Sequence, residues 1–201
     1  MAVAAYGIGT RVLSFVLIPG MGLSMATSTL VGQNIGAGKP DRAAQTTVIG
    51  CLLAFAVMLG SGVLLFFFAE PFAAFFIPQG AEAIGLSATF IRVISLTFGF
   101  MGIQLVINGT FRGAGQTVVS MVLAIVSLWG IQFPVAYVLS KHTALGLAGI
   151  WWSFTITNVL AAIIALLWYA RGDWKRKNLL AEVPLQKRVL EEVEIEEGRS
   201  S

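Results

Sequence analysis

The side chains of this chain that could do chemistry are uncharged polar groups inside long apolar stretches. Gln104 and Asn108 are four residues apart, and Thr155 and Asn158 are three apart, so each pair would share one face of a helix. Amides and hydroxyls in such positions bond either a neighbouring helix or a polar group of a molecule passing through the bundle. The spacing predicts a shared face but does not separate these two roles.

Catalytic chemistry finds little support in the sequence. His142 is the single histidine, and it falls in a short loop, so no Ser/His/Asp set can form around it. The nearest approach to a nucleotide-binding loop is QNIGAGKP, where Gln33 replaces the required glycine and Pro40 replaces the required Ser/Thr. We also find no metal-ligand cluster. The sequence therefore predicts that the chain is not an enzyme and holds no metal or resident cofactor.

The overall composition points to a membrane as the solvent. The chain has 201 residues, of which 57% are hydrophobic and 11% are charged, whereas a soluble domain carries about 25% charged residues. This excludes a disordered chain and an ordinary soluble domain. The net charge of +3 is spread thinly along the chain and forms no basic stripe, so nucleic acid is not expected as a partner.

Five apolar stretches, each with at most one charged residue, are about long enough to cross a bilayer as helices. They are residues 12–38, 43–69, 88–111, 114–140 and 144–170. The predicted fold class is all-α, a polytopic membrane helical bundle over residues 1–170, followed by a tail over 171–201. Between the second and third stretches, Phe72, Phe75 and Phe76 have helical spacing, which fits a short interfacial helix or an ordinary loop equally well.

Glycines cluster where two of these stretches end. Gly36, Gly38, Gly113 and Gly115 are predicted to end helices with positive φ and to form tight structural turns. Gly109 and Gly113 also match the small-xxx-small pattern of close helix packing, as do Gly32 and Gly36. Because both pairs lie at the ends of stretches, a turn or cap is the favoured interpretation.

Lys and Arg mark alternate ends of the stretches. Seven follow the first, third and fifth stretches, and three lie at the opposite ends. Cytoplasmic ends carry the excess of positive charge, so we expect residue 1 outside and the C-terminal tail in the cytoplasm. The three opposite cations are Arg11, Arg92 and Lys141.

Several motifs, taken in order along the chain, resemble one transporter family. The run 30–43, LVGQNIGAGKPDRA, is similar to the cytoplasmic-loop signature of multidrug and toxic compound extrusion (MATE) transporters, and 108–117, NGTFRGAGQT, resembles their glycine-rich turn after the tenth helix. Further similar segments are residues 3–30, 129–134, 146–151 and 172–175. Together the matches cover residues 3–176.

The resemblance implies more than the residues themselves show. Such transporters have two pseudo-symmetric six-helix lobes and exchange Na⁺ or H⁺ for organic, often cationic, compounds across the plasma membrane. The matching segments imply helices eight to twelve, a partial second lobe, so the N-terminal lobe and seventh helix would be partners outside this chain. No carboxylate lies inside the apolar stretches; the coupling-ion site is therefore expected in that other part.

Three alternatives to a cation-coupled exporter stay open. A related lipid-linked-sugar flippase would line its cavity with cations, whereas Arg11 and Arg92 lie only at stretch ends. A non-transporting membrane fragment or assembly subunit would account for the partial lobe. An integral-membrane enzyme ranks last because no catalytic set is present.

Overall fold

A computed structural model describes residues 2–76, 81–143 and 146–175 of the chain, and in these ranges it is helical with no strand. The α-helices are α1 (Ala2–Gly36), α2 (Pro40–Phe67), α3 (Ala69–Phe76), α4 (Ala81–Ser95), α5 (Phe98–Gly113), α6 (Thr117–Ile125), α7 (Phe133–Lys141) and α8 (Leu147–Ala170). A π-helical segment, Val126–Gln132, joins α6 to α7, and a 3₁₀ turn, Asp173–Lys175, follows α8. The predicted all-α membrane bundle is confirmed.

Within the described ranges, four helical segments are long and apolar enough to cross a bilayer by length and composition. They are Leu13–Gly36, Pro40–Phe67, Thr117–Lys141 and Ala148–Ala170. A fifth candidate consists of Ile84–Ser95 and Phe98–Gly113, which meet at a bend of 52°. The expected single helix over 88–111 is therefore wrong in one respect, since two helices meet there at Leu96 and Thr97.

The fourth segment changes its helical winding around Pro134. Proline lacks an N–H and cannot bond the carbonyl four residues earlier, here that of Gly130. The Phe133 N–H instead donates to the Leu128 carbonyl, five residues back, which is the π-helical pattern. The apolar segment thus stays continuous through its proline, with a π-helical section in the middle.

The stretch between the second and third predicted spans contains a short helix, α3. Its Phe72 and Phe75 rings are exposed, Phe75 by 82%, while Ala69 and Ala73 on the other face are buried in the core. Of the two alternatives for this stretch, the helix is therefore the one present. Its exposed aromatic face suits an interface between water and lipid.

Helix α5 packs on α1 through glycine. A Cβ added to Gly109 would overlap the Ser24 carbonyl oxygen, and one added to Gly113 would overlap the Ser28 carbonyl oxygen. Gly32 of α1 also faces Gly113, since a Cβ added to Gly32 would lie 3.2 Å from the Gly113 carbonyl oxygen. The favoured turn-or-cap interpretation of the Gly109/Gly113 pair is thus wrong, because these residues let two backbones approach closely.

Helix α2 packs closely against both α1 and α5, again at glycine residues. A Cβ on Gly50 would lie 2.5 Å from Thr27 Oγ1 of α1, and a Cβ on Gly102 of α5 would lie 2.8 Å from the Ala54 carbonyl oxygen of α2. The three helices α1, α2 and α5 therefore form one close-packed unit. The remaining helices are arranged around it.

Two of the four predicted glycine turns have the predicted conformation. Gly38 has φ of +68° and Gly115 has φ of +74°, which favour glycine at these tight turns. Gly36 and Gly113 are the last residues of α1 and α5 and have no positive φ, so the prediction is wrong for them. Gly113 is needed for its small size, whereas Gly36 has open space around it.

At the end of the bundle where these turns lie, the chain after α8 folds back onto the helices. Trp174 is 1% exposed, stacks on Tyr169 with ring centroids 5.1 Å apart, and donates from Nε1 to the Tyr169 carbonyl at 3.1 Å. It belongs to a core cluster that also contains Val31 of α1 and Phe111 of α5. We call residues 173–175 the terminal clasp. The rest of the predicted tail, 176–201, lies outside the described residues.

Candidate functional site

Gln104 and Asn108 of α5 lie side by side and face the α6 segment and its π-helical continuation. Gln104 Nε2 donates to Ser127 Oγ at 3.4 Å, and Ser127 Oγ donates to the Leu123 carbonyl at 2.7 Å. One turn further along α5, Ser120 Oγ donates to Asn108 Oδ1 at 3.4 Å. Both amides are half-buried, so α5 presents a short polar row within an otherwise apolar contact.

Thr155 and Asn158 of α8 occupy a different contact. Thr155 Oγ1 donates to the Val93 carbonyl of α4 at 3.1 Å. Asn158 Nδ2 lies 3.4 Å from Thr97 Oγ1, at the break between α4 and α5. The predicted shared face is thus present, and it is turned to the bent pair.

The four predicted site residues therefore form two pairs in two contacts. One pair joins α5 to the α6 segment, and the other joins α8 to the α4–α5 break. Each of the four bonds a neighbouring helix, as the helix-to-helix interpretation predicts. Three of these hydrogen bonds are 3.4 Å long, which is the weak end of the range. Their amide groups can therefore exchange these side-chain partners for others.

A polar seam between α1, α2 and α5 was not predicted from the sequence. Thr47 Oγ1 and Thr110 Oγ1 are 3.0 Å apart and buried. Arg112 Nη2 donates to Ser24 Oγ at 3.1 Å, and Ser24 Oγ donates to the Leu105 carbonyl at 2.5 Å. Single hydroxyls in apolar helices are too common to single out, but their position opposite the packed glycines would have been an available signal.

Thr157 of α8 is the buried side chain without a hydrogen-bond partner among the described residues. Its Oγ1 is unpaired, and the residue is 4% exposed. An unpaired buried hydroxyl is destabilising.

An apolar groove of about 880 Å³ is present in the described part of the chain. It lies between α1, α2 and α3, away from all four predicted site residues. Its walls are made mainly by aliphatic and aromatic side chains. Those that define its shape are Phe15, Pro19, Leu64, Phe68 and Phe72.

Two ion pairs lie near helix ends. Arg92 Nη2 is 3.0 Å from Glu70 Oε1 near α3, and Lys175 Nζ is 3.6 Å from Asp41 Oδ1 at the terminal clasp. Within the described ranges, no group of three His, Cys, Asp or Glu side chains could hold a metal ion. The polar groups inside the bundle are thus neutral amides and hydroxyls, which suit hydrogen bonding.

These features define the class of protein. It is an all-α membrane bundle that contains a bent helix pair and rows of neutral polar side chains. The family model MatE matches residues 1–138, and the chain belongs to this family. It is 30% identical to the probable multidrug resistance protein NorM of Thermotoga maritima over 179 residues, covering 89% of the chain and 38% of that protein. It is 27% identical to the probable multidrug resistance protein YoeA of Bacillus subtilis, with the same coverage of both. The chain thus spans under half the length of these relatives.

Solved structures show the same fold. A multidrug resistance MATE family transporter in an inward-facing conformation superposes with a TM-score of 0.79 at 22% identity, covering 83% of this chain and 38% of that one. An outward-facing conformation gives 0.81 at 24% identity, covering 87% and 40%. The suspected MATE family resemblance is therefore confirmed.

Proposed function

We propose that this chain is part of a cation-coupled exporter of organic compounds in the plasma membrane, and that it forms part of the second lobe. Membership of the MatE family over residues 1–138 carries the proposal. The relatives are named multidrug resistance proteins, which supports organic compounds as the substrate class. The polar groups of the bundle agree with it, since neutral amides can bond varied organic molecules without selecting one charge.

In this proposal Gln104 and Asn108 line the substrate pathway. Their partners Ser127 and Ser120 bond them at 3.4 Å, so a substrate can replace either partner at small cost. Thr155 and Asn158 are pathway candidates at a second contact, where α8 meets the break of the bent pair.

The coupling ion, Na⁺ or H⁺, binds outside this chain in our proposal. The carboxylates of the described part, such as Glu70 and Asp41, lie at helix ends and pair with cations. Ion coupling in an apolar helical bundle uses groups that can lose a proton or bind a cation inside it. The part of the transporter that relatives carry beyond this length is where such a group would lie.

The transport test uses the transporter encoded by the complete reading frame that contains these 201 residues. Reconstituted into liposomes, it should move a fluorescent organic cation when a Na⁺ or pH gradient is imposed. Gln104→Leu and Asn108→Leu should raise the apparent KM several-fold. Gln45→Leu, at an exposed position of α2, is the matched control and should leave KM unchanged. Gradient-independent leakage, or no transport by the complete protein, would refute the proposal.

The proposed orientation places the Gly38 turn and the terminal clasp in the cytoplasm. Cys51 is the single cysteine and is replaced by alanine first. Ala37→Cys should then be protected from an impermeant external thiol reagent, whereas His142→Cys should be labelled, since both positions are exposed. Labelling of Ala37→Cys but not His142→Cys would reverse the orientation.

A further inference from the structure

The break between α4 and α5 occurs without proline or glycine at the broken turn. Leu96 and Thr97 separate the two helices, and the bend is 52°. A helix broken inside an apolar bundle leaves carbonyl groups that must find new donors. The bend therefore depends on the hydrogen bonds and contacts made at the break.

Hydroxyl groups donate hydrogen bonds to three consecutive carbonyls at the break. Ser95 Oγ donates to the Arg92 carbonyl at 2.9 Å, and Thr97 Oγ1 donates to the Ile94 carbonyl at 3.0 Å. The Val93 carbonyl between them accepts from Thr155 of α8 at 3.1 Å. Two of these three bonds are local to the broken helix, and one comes from another helix.

Two other helices hold the bent pair from opposite sides. On one side, Gly62 of α2 lies so close to the Ser95 carbonyl that an added Cβ would be 2.5 Å from its oxygen. On the other side, Thr155 bonds the last turn of α4, and Asn158 bonds Thr97 at the break itself. A joint held on both sides has a defined angle.

We infer that Thr155 and Asn158 are positioning residues that set the bend angle of the α4–α5 pair and, through it, the place of Gln104 and Asn108. Thr155 fixes the end of α4, and Asn158 fixes the start of α5. Because α5 is 16 residues long, about 24 Å at the usual helical rise, a rotation of about 10° at Thr97 would move its far end by about 4 Å. Gln104 lies about 10 Å from Thr97 along α5, so the same rotation moves it by about 2 Å. A movement of that size breaks its 3.4 Å hydrogen bond to Ser127.

The importance of this role for transport depends on the proposed function, but the bend itself can be measured without transport. With Cys51 replaced by alanine, spin labels are attached at Glu82→Cys and Thr117→Cys, exposed positions that flank the bent pair. The distance distribution is recorded by pulsed electron resonance in nanodiscs of phosphatidylethanolamine and phosphatidylglycerol. The parent chain should give one narrow peak.

Thr155→Val keeps the side-chain shape and removes the donor to Val93. Together with Asn158→Leu it should shift or broaden the distance peak by about 2 Å, and Thr155→Ser should restore the narrow peak in the single variant. Thr157→Val is the matched control, since it removes from the same helix a hydroxyl with no hydrogen-bond partner among the described residues, and it should leave the peak unchanged.

An unchanged narrow peak in both Thr155→Val and the double variant would overturn the inference. So would equal broadening in Thr157→Val. If the double variant loses its thermal unfolding transition, the isosteric Thr155→Val decides alone. The two proposals can also fail separately. If the parent chain gives a narrow peak and the variants broaden as expected, but the complete protein does not transport, the proposed function is refuted and this inference stands.

Discussion

Replacing Gly109 by alanine tests whether α1 and α5 are held together by direct backbone contact. The new Cβ would overlap the Ser24 carbonyl oxygen and come 2.7 Å from Ser24 Oγ. Backbone atoms cannot swing aside as a flexible side chain can, so the two helices must separate. Separation would also strain the Arg112 bond to Ser24 Oγ, now 3.1 Å long.

The expected magnitude follows from two opposing effects. Overpacking a close contact costs about 1–3 kcal/mol, and this site is at the upper end because the clash is with backbone. Replacing glycine by alanine inside a helix recovers about 1 kcal/mol. We therefore expect Gly109→Ala to lower the free energy of unfolding by about 1–2 kcal/mol.

Gly22→Ala is the matched control on the facing helix. No heavy atom of the described neighbours lies within 4 Å of a Cβ added to Gly22. The gain in helix propensity therefore acts alone, and the variant should be up to about 1 kcal/mol more stable than the parent. Both variants are compared by reversible denaturation in mixed detergent micelles. If Gly109→Ala is as stable as Gly22→Ala, the close contact between the two backbones does not exist as described.

Three further predictions concern the energetics of other contacts. Thr157→Val should raise the free energy of unfolding by about 1 kcal/mol, because it removes an unpaired buried hydroxyl; a loss in the same denaturation assay would mean that the hydroxyl is bonded. Trp174→Ala should cost about 3–5 kcal/mol, since the ring is 1% exposed, and should expose the chain after α8 to protease; resistance equal to the parent would contradict the buried position. Asp41→Asn should cost less than about 1 kcal/mol, because Asp41 in the pair with Lys175 is 92% exposed; a larger loss that persists in high salt would contradict a weak surface pair.

The sequence was sufficient for the parts of the fold that depend on solvent. Side chains that face lipid are mostly apolar, so the long apolar stretches predicted where the helices lie. The all-α bundle follows from those stretches. Helix α3 was half anticipated from the spacing of Phe72 and Phe75. These features are encoded locally, one residue after another.

The break at Thr97 could not be predicted in this way. The residues of other helices that contact the break are Gly62, Thr155 and Asn158, and all three are distant from it in sequence. The same holds for Gly109, whose position near the end of a stretch suggested a turn. Its role becomes clear only when Ser24 is seen opposite it.

The position of Trp174 also sets an order for the biogenesis of this chain. The core cluster that it completes includes Val31 and Ile35 of the first helix, which leave the ribosome long before it. At about 5–20 residues per second, the first helix waits roughly ten to thirty seconds for its last neighbour. During that interval the cytoplasm-facing end, in the proposed orientation, presents an unfilled apolar hollow, and a chain terminated before residue 174 would keep it. We therefore expect quality-control proteases to recognise incomplete chains by the apolar surface that Trp174 leaves uncovered.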